Sequence, residues 1–430
     1  MIHFKQQEFL SIALEAGQDL EALREGESQH TYFRIKTMEE ARRILSQATP
    51  EERKKRGETF LDGLEYRSRI PQGMHDRGEA YVFADHPLSD TDWAGHHNHL
   101  PIYVRTLSIR EKVIPSGEVW DITLNPREWG ADQLEEMYNI VNIGRLTMEE
   151  NAAVIVRGNV LILTCQELIK IGAAATEYDI GILGTPHGFG IRAGAFDGNR
   201  GEHGKEGSPG EDGTEPKLAA SFLGTTIAPT FNKESMNGTA GANGKNGTDG
   251  EMGLNGGACR FAEINIRSLR KSAPVTIAVI SGDGGNGGDG GQGGDGGHGG
   301  HGVNAVKTME GIIGPGKGGK GGNGGDGGNG GRAGHNGLSS NVYITVPETA
   351  AHLIQCYSKA GQPGKPGKGG QAGRGGLSGQ PGKHFDQDID KADLIAQSGQ
   401  DGKNGRDGKE GRHLPPAKIY INNKEAVQRY

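Results

Sequence analysis

The chain has 430 residues, with 47 Lys and Arg against 54 Asp and Glu and a formal net charge of −7, so it offers no basic stripe of the kind that neutralises nucleic-acid phosphates. Hydrophobic residues make up 33% and aromatics 6%, too few for a conventional core throughout, whereas the 76 glycines are more than twice the usual share of about 7%. Three cysteines, Cys165, Cys259 and Cys356, speak against a disulfide framework and suit a reducing compartment, although two could pair.

The opening MIHFKQQEFLSIALEAG has no basic segment followed by an apolar one, so no signal peptide is visible. The expected location is cytoplasmic, or outside the cell by another route. No apolar run of about 18 residues occurs, which predicts no transmembrane segment.

Residues 1–80 read as a small helical region. Thr37 with Glu40 forms a capping box ahead of Ala41, Ile44 and Leu45. Thr49-Pro50 with Glu52 repeats the signal, and Phe60, Leu61 and Leu64 extend an apolar face. Residues 81–101 read as an irregular linker containing His86, Asp92, His96, His97 and His99. An H-x-H pair on a strand aims both rings to one side, as a metal site needs. No second cluster at metal spacing accompanies it, so a solvated loop is the better reading. No metal, catalytic or cofactor-binding residue is assigned.

Residues 102–197 read as a β domain. IYVRTLSI, NIVNIGRLTM, AAVIVRG and NVLILTCQELIKI are short β-branched runs broken by turn signals at Glu150-Asn151 and Gly158-Asn159. Their spacing predicts a β-sandwich or a β-solenoid.

From Gly198 onward glycine recurs every third residue in six runs: 198–213, 238–256, 282–302, 314–337, 361–382 and 399–411. Three residues per turn is the period of the polyproline II helix, which has no internal hydrogen bonds. A lone helix of this kind is solvated, because glycine loses the most entropy on ordering. Several side by side can bond through backbone groups where no Cβ intervenes. At about 3.1 Å per residue a run of some 20 residues reaches roughly 60 Å. Between runs lie strand-like pieces, LAASFLGTTIAPTF, FAEINIRSL with APVTIAVI, NVYITVPETAAHLIQCY and AKIYIN. They read as strands of a sheet whose connections have become glycine helices. The expected fold of residues 198–430 is a polyglycine-II bundle with interspersed β-strands, in a mainly β chain with irregular structure. Runs three and four are Gly-Gly-X, with two faces free of Cβ, and are expected at the centre. The Gly-X-X runs are expected at the edges, with X residues such as Asn286 and Asp289 turned to solvent or a partner.

Collagen would require Pro near 15–20%, and here Pro is 18 of 430. Gly284–Asp289 fits the first six places of a calcium β-roll repeat, but the hydrophobic place is missing and the period is three or six, not nine. Six similar tracts between strands also fit a linker poorly.

The triplet spacing over about 198–411 resembles the polyglycine-II bundles of the snow-flea antifreeze protein and of phage tail-tip adhesins. The antifreeze type implies a flat face of small residues, whereas the third positions here include Asn286, Asp289, Gln292, Asp295, Lys317, Lys320 and Arg332. The adhesin type implies recognition by loops at one end of the bundle, for which Val303–Ile313 is the candidate. No G-x-S-x-G elbow and no P-loop is present. The expected function is non-enzymatic: an adhesin-like or toxin-like recognition protein that displays loops to a protein or surface-glycan receptor. The alternative is a structural, self-assembling protein that uses the bundle as a stacking scaffold.

Overall fold

Thr37 and Thr49 each satisfy the free amides of a helix start. In the computed structural model Thr37 Oγ1 accepts the Glu40 N–H at 3.2 Å. Thr49 and Glu52 cap one another, the Glu52 carboxylate accepting the Thr49 N–H at 2.9 Å while Thr49 Oγ1 accepts the Glu52 N–H at 3.2 Å. The structure describes residues 3–46, 48–60, 78–84, 99–124, 137–172, 177–185, 194, 196–222, 224–228, 230–271, 273–385 and 391–427. Leu61 and Leu64, and with them most of the expected linker including His86, Asp92, His96 and His97, lie outside the described residues.

The chain begins with α1 (His3–Glu15) and α2 (Leu20–Glu25), then β1 (Gln29–Ile35), α3 (Met38–Leu45), α4 (Pro50–Phe60) and a short helix Gly78–Phe83. The strand β1 corrects an all-helical reading of residues 1–80. Its residues QHTYFRI alternate, and the capping signals on its C-terminal side outweighed that alternation in the sequence. It pairs antiparallel with β2 (Ile102–Ile114).

From β2 the chain winds in coils that alternate between two sheets. The strands β2, β4 (Met137–Met148), β6 (Val160–Lys170), β10 (Ala262–Ile266), β15 (Val342–Thr345) and β17 (Ile419–Ile421) lie in parallel in the first. The second holds β3 (Val119–Asp121), β5 (Ala153–Arg157), β7 (Ile180–Leu183), β12 (Val275–Ile280) and β16 (Ile354–Lys359), also parallel. Each coil gives one strand to each sheet, the arrangement of a solenoid and not of a Greek-key sandwich. The short β11 (Leu269–Lys271) extends the pairing on β6, and β18 (Lys424–Glu425) turns back antiparallel on β17. Composition changes at about residue 198, but the sheets do not: β10 continues directly from β6.

Between the sheets lies a continuous apolar layer, with Val141, Leu163, Ile264 and Ile344 meeting Val154, Ile182, Ile277 and Cys356. Beside it the Lys170 ammonium meets the Asp179 carboxylate at 2.7 Å, both side chains fully buried. The outer face of the first sheet is covered by the N-terminal helices. There Phe261, Tyr343 and Tyr420 form an aromatic column, with Phe83 stacked on Phe261 at 3.9 Å and Tyr343 on Tyr420 at 4.9 Å. Arg56 of α4 lies over the Tyr343 ring at 4.2 Å and pairs with buried Glu263 at 3.2 Å. The helices are thereby tied to strands more than 200 residues away.

After β7, β12 and β16 the chain leaves the solenoid in one glycine run, turns, and returns in the next. LAASFLGTTIAPTF, expected in the sheet, lies instead in the first of these turns: β8 (Leu218–Ser221) and β9 (Gly224–Ile227) pair only with each other. The second turn is the hairpin of β13 (Val306–Thr308) and β14 (Gly311–Ile313). The other strand-like pieces do join the sheets.

Candidate functional site

The runs approach each other through bare backbone. A Cβ on Gly325 would meet the Lys245 carbonyl oxygen at 2.1 Å, and one on Gly290 would meet that of Gly328 at 2.1 Å. Glycine amides donate to neighbouring carbonyls at every third residue, as in Gly201 to Asp289, Gly204 to Gln292 and Gly207 to Asp295. Run three bonds to runs one, two, four and five through Gly201–Asp289, Gly288–Glu251, Gly319–Gly300 and Gly287–Lys365. Run four bonds to two, three, five and six through Gly241–Lys320, Gly319–Gly300, Gly367–Gly331 and Gly324–Gln400. The two Gly-Gly-X runs are thus the central ones.

Counting bare faces does not account for runs two and five. Both are Gly-X-X in the main, yet run two bonds to runs one, three and four. The reason is that a Cβ blocks one direction only. Thr248, for example, donates its N–H to Glu202 of run one and accepts from Gly291 of run three through its carbonyl.

The X residues are also more than an outward row. In the layer of runs one, three and five, Asp197, His203 and Asp212 accept the N–H groups of Asn286, Gln292 and His301. Run three serves run five in the same way. Asp283, Asn286, Asp289, Asp295, His298, His301 and Asn304 accept the N–H groups of Gln362, Lys365, Lys368, Arg374, Leu377, Gln380 and Lys383 at 2.7–2.9 Å. In the layer of runs two, four and six, Asn243, Asn246 and Asp249 take the amides of Asn323, Asp326 and Asn329. Those three side chains take the amides of Gln400, Lys403 and Arg406. The ladder has a direction and an end. Run six turns Asp401, Asn404 and Asp407 on the amides of Gly375, Ala372 and Gly369 of run five, whereas the last outward rows, Lys365, Lys368 and Arg374 of run five and Lys403, Arg406 and Lys409 of run six, carry long cationic side chains in place of short acceptors.

The three turns meet at the far end. Met309 N–H donates to the Thr225 carbonyl at 3.2 Å, and Gly224, at φ +130°, leaves room where a Cβ would stand 2.7 Å from Met309 Cγ. Ala305 N–H donates to the Lys383 carbonyl at 2.8 Å, which ties the third turn to the second, and Gly318 N–H to that of Leu394 at 3.3 Å, which ties it to the start of run four. Buried Met236 lies beneath, its carbonyl accepting from Val303 N–H at 3.0 Å. Above it the turns expose apolar side chains: Leu218 and Phe222 from the first, Met309 and Ile312 from the second, Phe385 and Ile395 from the third. Phe222 is fully exposed at 101% and Phe385 is 57% exposed. The sequence singled out Val303–Ile313 alone. The other two turns were missed because one looked like a sheet strand and the other, around Phe385, has no repeat or turn signature.

Among the described residues no group of three or more His, Cys, Asp or Glu stands where a metal ion could be held. His99 lies with its ring 5.5 Å from that of Tyr81. A depression of about 450 Å³ at the helical end is lined by Met38, Glu39, Arg42, Arg43 and Arg53. Arg42 and Arg53 there donate to the carbonyls of Tyr81, Ala84 and Ala48, which gives them a structural task. All three cysteines are free and buried, and burial pushes the Cys165 thiol up to about 12. Among the described residues no helix is long and apolar enough to cross a membrane. Comparisons of this chain with family models, with curated proteins and with solved structures find no match.

Proposed function

We propose that the protein is a non-enzymatic recognition protein, adhesin-like or toxin-like, whose glycine runs are six polyglycine-II helices forming a shaft. The three turns at the shaft's end bind a protein or surface-glycan receptor. The observation that carries this reading is the convergence of Leu218, Phe222, Met309, Ile312, Phe385 and Ile395, all exposed, on one end of the runs. Large apolar side chains gathered on a surface mark interaction sites, whereas scattered ones need no explanation. The helical assignment rests on the three-residue step of the inter-run bonds, which is the polyproline II period.

The end of the acceptor ladder favours recognition over stacking. A further copy laid against run five or run six would meet lysine and arginine where the ladder needs Asn, Asp or His. Cationic side chains on an outer element discourage growth by addition, as they do on edge strands.

Two measurements test the reading. Light scattering after size exclusion is expected to give a monomer of 45.5 kDa, whereas a filament or large oligomer supports the self-assembling alternative. The combined change Phe222→Ser, Met309→Ser and Phe385→Ser is expected to leave the melting temperature unaltered and to weaken binding to the cells recognised in a panel of intact bacterial and animal cells by about tenfold or more, as for loss of several hot-spot anchors. Undiminished binding by this variant overturns the assignment of the site to the tip.

A further inference from the structure

The acceptor ladder is filled almost throughout by Asn and Asp, but between runs three and five two successive rungs use histidine. His298 Nδ1 accepts the Leu377 N–H at 2.9 Å and His301 Nδ1 accepts the Gln380 N–H at 2.9 Å. On either side the acceptors are Asp295 for Arg374 and Asn304 for Lys383. A backbone N–H only donates, so the ring must present a lone pair at Nδ1. Neutral imidazole has one such nitrogen and imidazolium has none. Asn keeps its acceptor at every pH, and Asp keeps an acceptor oxygen whether ionised or protonated. Histidine alone changes character between about pH 5 and 8.

We infer that His298 and His301 are acid-sensitive latches that hold the tip end of run five to run three. On protonation each ring faces a backbone donor with another donor. The Leu377 and Gln380 amides lose their acceptors, and the segment leading into the Phe385 turn is held to run three only by the bonds its carbonyls accept, from Gly299 N–H to Leu377 and from Gly302 N–H to Gln380 at 2.9 Å. The inference deepens the proposed recognition function and rests on it, since the latched segment runs directly into the third turn.

Charged and polar groups face the latches from each neighbouring run. Along run three lie Asp295 and Asn304. From run one Asp212 Oδ1 accepts the His301 backbone N–H at 2.6 Å. From run five come the charged Arg374 and Lys383 and the uncharged Leu377 and Gln380. Run two meets run three here through the backbone carbonyls of Thr239 and Ala242, and run four through the backbone of Gly319 and Gly322. Both histidines are exposed, so protons reach them without prior opening.

Two further rungs use the same chemistry away from the tip. His203 Nδ1 accepts the Gln292 N–H at 2.9 Å, and His335 Nδ1 accepts that of Arg412 at 2.7 Å. The guanidinium of Arg332 touches His335 at its other nitrogen.

The test is amide exchange of the full chain, with Leu377 and Gln380 measured relative to Lys365, whose acceptor is Asn286. Taking this ratio cancels the intrinsic pH dependence of exchange. In the natural sequence the relative protection of Leu377 and Gln380 is expected to fall about fivefold or more between about pH 7.5 and 5.5. In the double variant His298→Asn, His301→Asn it is expected to stay high at both. A constant ratio in the natural sequence, or an undiminished fall in the variant, overturns the proposal. Nitrogen NMR of the histidine rings needs no variant and adds a second decision: the hydrogen is expected on Nε2 at about pH 7.5, and finding it on Nδ1 sinks the latch. None of these readouts involves a receptor, so failure of the recognition reading and failure of the latch remain distinguishable.

Discussion

The solenoid and the glycine runs stack their neighbours in the same order, yet different parts of the chain make the contact. In the solenoid, side chains such as Leu163, Ile264 and Ile277 meet between sheets and exclude water. In the runs the contact is the main chain, and the nearest approach is fixed by a missing Cβ. The two share one register. Ala262 of β10 pairs with Val342 of β15, and in the runs before those strands Asn237 meets Lys317, 80 residues on, the same spacing. Val275 pairs with Ile354, and Asn286 meets Lys365, 79 residues on, again the same. Val342 pairs with Ile419, as Asn323 meets Gln400 at a spacing of 77. A triplet repeat cannot set its own register, because a shift of three residues is nearly invisible to it. The β-branched strands can, since a slip by one exposes a buried face. The sheets therefore decide where each run lies against the next.

The largest effect is expected from the buried ion pair of the solenoid. Asp179→Ala removes the carboxylate that faces the buried Lys170 ammonium, and breaking such a pair costs about 3–5 kcal/mol. If the sheets set the register of the runs, this change loosens both regions together. Denaturant unfolding followed through Cys165 alkylation and through glycine amide exchange is expected to show coincident transitions. Runs that stay protected after Cys165 has become reactive break the link between the two regions.

Gly325→Val acts in the opposite region. Its Cβ would stand 2.1 Å from the Lys245 carbonyl oxygen, where a backbone and not a pliable side chain must give way. The expected cost is at least the ~1–3 kcal/mol typical of overpacking. Loss of protection is expected in runs two to four, while the Cys165 thiol, raised by burial to about 12, stays unreactive. An unchanged melting temperature would mean that the runs are not held together by close backbone approach.

A smaller effect separates the ladder from the packing. Asp326→Ala removes the acceptor of the Lys403 N–H at 2.7 Å but keeps the donation of its own N–H to Asn246. About 1 kcal/mol is expected, the usual net value of one hydrogen bond, with faster exchange at Lys403. Asn286→Ser belongs to the same class and is not the neutral change that an outward position suggests, because Asn286 holds the Lys365 N–H. Lys403→Gln, at the end of the ladder, is expected to leave stability within about 0.5 kcal/mol.

Much of this difference was legible in the sequence, though unevenly. The capping residues Thr37 and Thr49 and the β-branched runs gave their elements, because those signals are local. The Gly-Gly-X pattern marked runs three and four, because a bare face is written in the composition. The alternation of short acceptors with Lys and Arg was also present, in Asn246, Asp326 and Lys403. It has meaning only once the order of neighbours is known, and that order is set by sheets pairing residues about 80 apart. The hairpin around Phe222 was misplaced for the same reason: LAASFLG has the composition of a sheet strand and nothing local says otherwise. The tip as a surface was invisible, since it joins three turns that no periodicity connects.

The smallest expected effects are the pH responses, and they order the two regions. His335 is held below the ordinary histidine range by burial first and then by the charges of Arg332 and Arg412. A folded value below the unfolded one means that this group's contribution is complete above about pH 6.5 and declines as pH falls below it. Glu8 of α1 lies lower on the scale. Partial burial raises its carboxyl, but hydrogen bonds and charge from Arg267, with a further bond from Gln166, outweigh this and hold it below the ordinary range. Its contribution is complete above about pH 4.3 and is lost as pH falls toward the folded value. Both groups are mostly or partly exposed, so solvent screening keeps each effect small. The expected sequence on acidification is loosening of runs four and six around Arg412 first, and release of α1 from the solenoid only in more acid solution. Amide exchange at Arg412 and at residues of α1, followed from about pH 7.5 to 3.5, checks the order. Release of α1 before any change at Arg412 would reverse the assignment of the weaker acid response to the solenoid and the earlier one to the runs.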